Sequence, residues 1–314
     1  SVEGLARALD GLERYPEAEP LHRRVIAART AAFGPHDLRT AAAWFQLGEH
    51  FTEAAIPEEA VESHRKALAI REQQLPADHD DLAASLHGLG DNLRRLEPGP
   101  EAEGYLRRAM AIDGVRHGKK SGQYAADLEA VGRLARDRDE YDRAEPLPLE
   151  ALEIRRARSG PAADASMAVT EALVMLYSDM DRDEDAARVA REGIAILDAA
   201  GRPAADAALA LLRHLALAAE RSGQLAEAES AHRLLVALGS ESGRAESGKA
   251  LGATLELARF LQRHDRCADA VPFAVELANR LGAAPRPNLE WLGASQNLLA
   301  VCLESLGSPT EAEI

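Results

Sequence analysis

Cysteine is nearly absent from this chain of 314 residues: Cys267 and Cys302 form no CxxC pair, and two cysteines build no disulfide framework. Such usage suits a reducing compartment, so both are expected to be buried small hydrophobes and the chain to be cytoplasmic. Aromatic residues are scarce, 12 in all, while Ala and the aliphatics dominate, which favours helices over a β-sandwich or barrel. Positive charge is in deficit: 52 Asp and Glu against 37 Lys and Arg leave a formal net charge of −15, which argues against a nucleic-acid or anionic-membrane partner. Among the cations Lys is rare, with 4 residues, and the rest are Arg, whose planar fork suits carboxylates. No run of about 18 apolar residues could span a membrane, and residues 1–20 lack a basic start followed by an apolar stretch, so no signal peptide is expected.

What the chain does contain is a period. Ala18, Ala60, Ala102, Ala144, Ala186, Ala228, Ala270 and Ala312 stand 42 residues apart without insertion or deletion. Independent columns keep the phase. Leu5, Leu47, Leu89, Val131, Leu173, Leu215, Leu257 and Leu299 are all aliphatic, and the next residues, from Ala6, Gly48, Gly90 and Gly132 to Ala300, are small in all but Val174.

Within one period, "LRTAAAWFQLGEHFTEA" (38–54) and "EEAVESHRKALAIREQQL" (58–75) place apolar and small residues at three- and four-residue spacing, as amphipathic helices do. A turn around Pro57 joins them, so neighbouring helices run antiparallel, and the small columns let their backbones approach. One such hairpin cannot bury its own apolar face; stacking supplies the core. The columns Trp44, Leu47, Gly48, Phe51, Ala60 and Ala67 resemble the signature of the tetratricopeptide repeat. The 42-residue period, "EAEPL" in the second helix and "ADHDDLAASLHGLG" (77–90) are similar to its kinesin-light-chain type. The resemblance implies an all-α, right-handed superhelical solenoid of antiparallel helix pairs. Residues 1–314 then form a single array of about seven and a half repeats, with segments 1–36, 37–78, 79–120, 121–162, 163–204, 205–246, 247–288 and a partial 289–314. Seven helix pairs plus one further helix are expected, with exposed apolar residues on the last.

Departures from the pattern carry their own expectations. Pro20, Pro146 and Pro272 share a column near the start of the second helix, but Pro148 lies two residues deeper and should kink or delay that helix. His22, His64 and His232 share another column; because they come from separate repeats they are read as packed imidazoles rather than as ligands of one metal ion. "GRAESGKA" (243–250) imitates a phosphate loop, yet offers Ala250 where Ser or Thr must meet magnesium, and it falls between two helices rather than after a strand. "DRDEDAARVARE" (181–192) imitates a calcium loop, yet Ala186 stands where the sharp turn needs Gly, and the phase makes the segment helical from about residue 185. No GxSxG, no HExxH and no Cys with a matching His suggests an enzyme, so neither catalysis nor a cofactor or metal is expected.

The resemblance implies that the first helix of each pair lines the concave side. Phe45, His87, Arg213 and Asn297 lie in one inward column, Arg133 and Arg259 in a second, Arg94 and Arg136 in a third, with Arg263 at its border. These nine are the candidate peptide-binding residues. Their guanidinium groups could bridge an acidic peptide, or each could pair with a neighbour such as Asp91, Glu129 or Glu220 and only solvate the groove. The expected role is a non-catalytic interaction module holding a protein or peptide segment in the groove. The alternative is the sensor or regulatory part of a larger bacterial signalling ATPase or protease, a setting in which such arrays occur, with further domains in the parent chain.

Overall fold

The computed structural model describes residues 1–241, 248–283 and 288–307. Its described residues form helices, turns and bends, with no strand among them. They divide into two compact units, Ser1–Gly160 and Pro161–Ile314.

In the first unit, α1 (Val2–Asp10) packs against α2 (Tyr15–Phe33), α3 (Leu38–Glu53) against α4 (Pro57–Gln74), and α5 (Asp80–Leu96) against α6 (Pro100–Arg116). Its last pair joins α7 (Gly122–Arg136) to a helix in two pieces, α8 (Tyr141–Ala144) and α9 (Pro146–Ser159). In the second unit, α10 (Asp164–Asp179) pairs with α11 (Asp183–Ala199), α12 (Asp206–Arg221) with α13 (Leu225–Glu241), and α14 (Gly248–Arg263) with α15 (Cys267–Ala283), followed by α16 (Leu289–Ser305). With α8 and α9 taken as one interrupted helix, the described residues hold the seven pairs and one further helix that the period predicts. Leu289, Val301 and Leu306, on or just after α16, are exposed as expected.

The anchor alanines explain the invariance of the period. Ala18, Ala60, Ala102, Ala144, Ala186, Ala228 and Ala270 are each 0–1% exposed, so a larger side chain has no room at the start of any second helix. Ala312 lies outside the described residues. The turn inside each hairpin also keeps the phase. Glu13, Ala55, Asp139, Asp181, Gly223, Asp265 and Gly307 stand in one 42-residue column, and all have φ between 55° and 77°. The exception is Glu97, extended at φ −149°, because Pro98 follows it and disfavours any helical conformation in the residue before.

The fourth repeat is the irregular one. Pro20 and Pro272 sit inside unbroken helices, whereas the helix carrying Pro146 and Pro148 is interrupted at Glu145. A single missing donor in the first turns is tolerated; the second proline leaves the Ala144 carbonyl without its regular amide partner as well. The acidic segment from Asp181 enters helix at Asp183, which puts Asp183, Glu184 and Asp185 in the first turn of α11, where the helix dipole favours them. Most of the phosphate-loop look-alike, residues 243–247, lies outside the described residues, as does the Lys249 side chain. Cys267 and Cys302 are buried in one apolar cluster with Leu257, Phe260 and Leu298, and burial beside Cys267 pushes the Cys302 thiol up to about 12.

Candidate interaction surface

Successive first helices present a shared face in each unit. In the first, α3, α5 and α7 bring Phe45, Glu49, His87 and Asp127 to one cavity of about 430 Å³, which Asp80, Asp81, Asp113 and His117 also line. Asp127 is 1% exposed; its Oδ1 lies 2.7 Å from Nδ1 of His87, and its Oδ2 meets no hydrogen-bond donor among the described residues. Burial, then the charge of Asp127, pushes the Asp113 carboxyl up to about 6. Burial pulls the His87 imidazole down, but the hydrogen bond and charge of Asp127 outweigh it and hold His87 above its ordinary value. This cavity therefore has more carboxylate than the fold satisfies, and it suits a cationic group.

The basic candidates in the same unit are already engaged. Asp91 takes Nε of Arg94 at 3.1 Å, Nη2 of Arg95 at 3.3 Å and Nη2 of Arg133 at 3.4 Å. Burial would raise its carboxyl, but the charges of Arg133, Arg94 and Arg95 win and hold it near 2. Arg94 also reaches Asp137, and Arg136 lies 3.6 Å from the same carboxylate. Phe45 is fixed on its inner side, edge-on to His64 at 5.3 Å and under the Arg71 guanidinium at 4.7 Å.

In the second unit, α12, α14 and α16 line a cavity of about 350 Å³ through Arg213, Leu217, Leu255, Glu256, Arg259, Glu290 and Trp291, with His232 of α13 beneath. Arg213 is exposed and makes no ion pair among the described residues. Arg259 pairs with Glu256 at 3.2 Å. His232 is 2% exposed, both its ring nitrogens lack a hydrogen-bond partner among the described residues, and burial lowers its pKa. Arg263 is held away from this cavity by two hydrogen bonds to Glu220, at 3.0 and 2.8 Å. Asn297 is exposed on α16.

Comparison with known sequence families matches the chain to one described as Tetratricopeptide repeat, over residues 1–73, 57–114 and 81–157. The chain belongs to the tetratricopeptide repeat family. Comparison with curated proteins gives no match. Among solved structures, the array is similar to the nearly identical TPR-like repeats of a kinesin light chain from Podosopora anserina, at 21% identity and TM-score 0.58, over 67% of this chain and 98% of that one. BtubC (BKLC) from P. vanneervenii is similar at 20% identity and TM-score 0.58, over 72% of this chain and 92% of that one. A Rap protein complexed with Competence and Sporulation Factor is similar at 14% identity and TM-score 0.57, over 99% of this chain and 75% of that one. At these identities what is shared is the tetratricopeptide fold.

Of the nine candidates, the structure brings Phe45 and His87 to one cavity, Arg213 and Arg259 to another, and Arg94 and Arg133 to Asp91. Column reading of the tetratricopeptide array missed the residues that face the candidates from other columns: Asp113, Asp127, His232 and Trp291. One signal was present. Asp127 follows His87 by 40 residues, as His50 follows Asp10, and two such pairs at one repeat less two residues mark contacts between consecutive first helices.

Proposed function

We propose that this array is a non-catalytic interaction module that holds a segment of another protein in the groove formed by its first helices. The observation that carries the reading is the cavity of the second unit. An exposed guanidinium, Arg213, and a buried imidazole, His232, the first without an ion pair and the second without a hydrogen bond among the described residues, stand beside Leu217, Leu255 and Trp291. A solvated guanidinium and a buried imidazole beside an apolar wall are groups that a ligand carboxylate with an apolar neighbour would complete. The fit is therefore to a segment with an acidic side chain, or a chain terminus, next to a large hydrophobe. In the first unit the carboxylate-lined cavity fits a Lys or Arg of a bound segment instead. That a Rap protein of this fold is solved with Competence and Sporulation Factor is in keeping with peptide recognition by such arrays.

Selection of a displayed random peptide library on the intact chain tests the reading. Enriched peptides should pair Asp, Glu or a free C-terminus with an aromatic or aliphatic residue, and their affinity should fall when Arg213 is reversed to Glu. A library that enriches nothing, or peptides whose binding survives both Arg213→Glu and Asp127→Asn, would remove the groove from the function.

A further inference from the structure

Among the described residues, one place joins two imidazoles to one carboxylate. Asp10 at the end of α1 lies with Oδ2 2.7 Å from Nε2 of His22 on α2 and with Oδ1 2.7 Å from Nδ1 of His50 on α3. One potential ligand atom from each of the three residues falls within 4.8 Å of the others, and the residues are 8%, 3% and 2% exposed. His22 was set beside His64 and His232 by the repeat; the fold sets it beside His50 instead, with ring centroids 5.1 Å apart.

We propose that Asp10, His22 and His50 form a binding site for a divalent transition-metal cation of the zinc type. Two imidazole nitrogens and a carboxylate oxygen are a donor set that such ions take in preference to calcium or magnesium, which favour oxygen alone. Asp91, a comparably buried carboxylate, is met by guanidinium groups, which cannot ligate; Asp10 is met by two groups that can. The ligands come from three packed helices, and the His50 ring is fixed by edge contacts to Tyr15 at 5.9 Å and Phe51 at 5.1 Å, so little side-chain order remains to be lost. To receive the ion, each imidazole places its proton on the far ring nitrogen. The N to O separations then widen on the order of half an ångström toward tetrahedral spacing.

The site also has an approach and a charge partner. Asp10 and His50 line a cavity of about 300 Å³ whose wall carries two carboxylates, Glu49 and Glu53, against one cation, Arg7. A divalent ion on one carboxylate and two neutral imidazoles leaves one positive charge, which those carboxylates offset, and water or one of them can fill the fourth position. Since α1, α2 and α3 each give one ligand, the bound ion would tie the first hairpin to the second.

The test is calorimetric titration of chelator-treated, intact chain with zinc chloride, together with cobalt(II) absorption. One equivalent should bind with a Kd below about 10 µM, and zinc in hundredfold excess over that Kd should raise the melting midpoint by roughly 5 °C. His50→Gln should abolish the one-equivalent binding. His22→Cys should keep it and add a thiolate-to-cobalt charge-transfer band, a readout that a purely structural role of His22 would not produce. No saturable zinc binding by the parent chain, or binding unchanged in His50→Gln with no thiolate band in His22→Cys, overturns the proposal and leaves Asp10 as a hydrogen-bonded acceptor for two imidazoles.

Discussion

A β-carbon on Gly48 would stand 2.6 Å from Cε1 of His64, so the glycine of α3 and the histidine of α4 are one packing unit. The relation repeats every 42 residues. A β-carbon on Gly90 would lie 2.7 Å from Cγ of Leu106, and one on Gly132 would lie 3.2 Å from Cδ of Pro148. Where the second helix carries Ala190 in this column, the first carries Val174, so volume is exchanged across the crossing rather than lost.

Gly48→Ala should therefore destabilise the chain by about 1–3 kcal/mol, the cost of overpacking. His64 has no room to yield: it is fully buried, and a β-carbon on Gly88 of α5 would lie 2.7 Å from the same ring. Gly132→Ala should cost less, because its contact is looser. Urea unfolding of both variants measures the difference, and equal losses would show that helix crossing distance, not the facing side chain, sets the requirement for glycine.

His64 should make stability fall in mild acid. Burial, aided by the charges of Arg71 and His87, lowers its pKa from 6.5 to about 4. Between those two values the unfolded chain binds a proton that the native chain refuses, so stability is full above pH 6.5 and declines as pH falls toward 4, by up to about 3 kcal/mol. His87 has the opposite sign, since its raised pKa adds stability that is lost as pH rises. The comparison of parent with His64→Leu at pH 7 and pH 4.5 isolates the His64 share. The leucine variant should lose much less stability in acid, Leu106 being the residue that fills the same column one repeat on.

Pro148→Leu should join α8 and α9. The substitution restores the amide that Ala144 lacks and keeps an apolar side chain over Gly132, as Leu106 sits over Gly90. Pro146 stays, but Pro20 and Pro272 show that one proline in that column leaves the helix whole. A gain of about 1–2 kcal/mol is expected, with added helical ellipticity. A loss of stability would mean that the proline ring's packing is worth more than the backbone bond it removes.

The repeat was legible because each of its columns has one physical demand that a residue type meets: no volume at Ala18 and its successors, a close crossing at Gly48 and Gly90, a missing donor at Pro148. The left-handed turn column was not legible, since Glu13, Ala55, Asp139, Asp181 and Asp265 occupy a conformation that glycine announces only at Gly223 and Gly307. The groove was legible in part. Phase assigns a side chain to a face, but it does not tell that Arg133 meets Asp91 within the first unit while Arg213, in the second, meets no carboxylate among the described residues, which is a matter of distance across repeats. The Asp10, His22 and His50 cluster escaped because its members stand in three different columns.

That difference gives the last prediction. Arg133→Glu would place a carboxylate against Asp91 and remove one of the charges that keep Asp91 ionised in its buried position. It should cost about 1–2 kcal/mol of stability, and any loss of peptide binding should follow the loss of fold. Arg213→Glu breaks no ion pair among the described residues, so its melting midpoint should stay within about 2 °C of the parent. Its affinity for a peptide selected on the parent chain should nevertheless fall at least about tenfold, the worth of one charge-assisted pair, and the fall should shrink as salt screens the charge. Fluorescence anisotropy beside thermal melts separates the two effects. Binding lost in Arg133→Glu while its stability is unchanged would return the ligand to the Asp91 cluster, and binding intact in Arg213→Glu would leave the cavity of the second unit without a role in recognition.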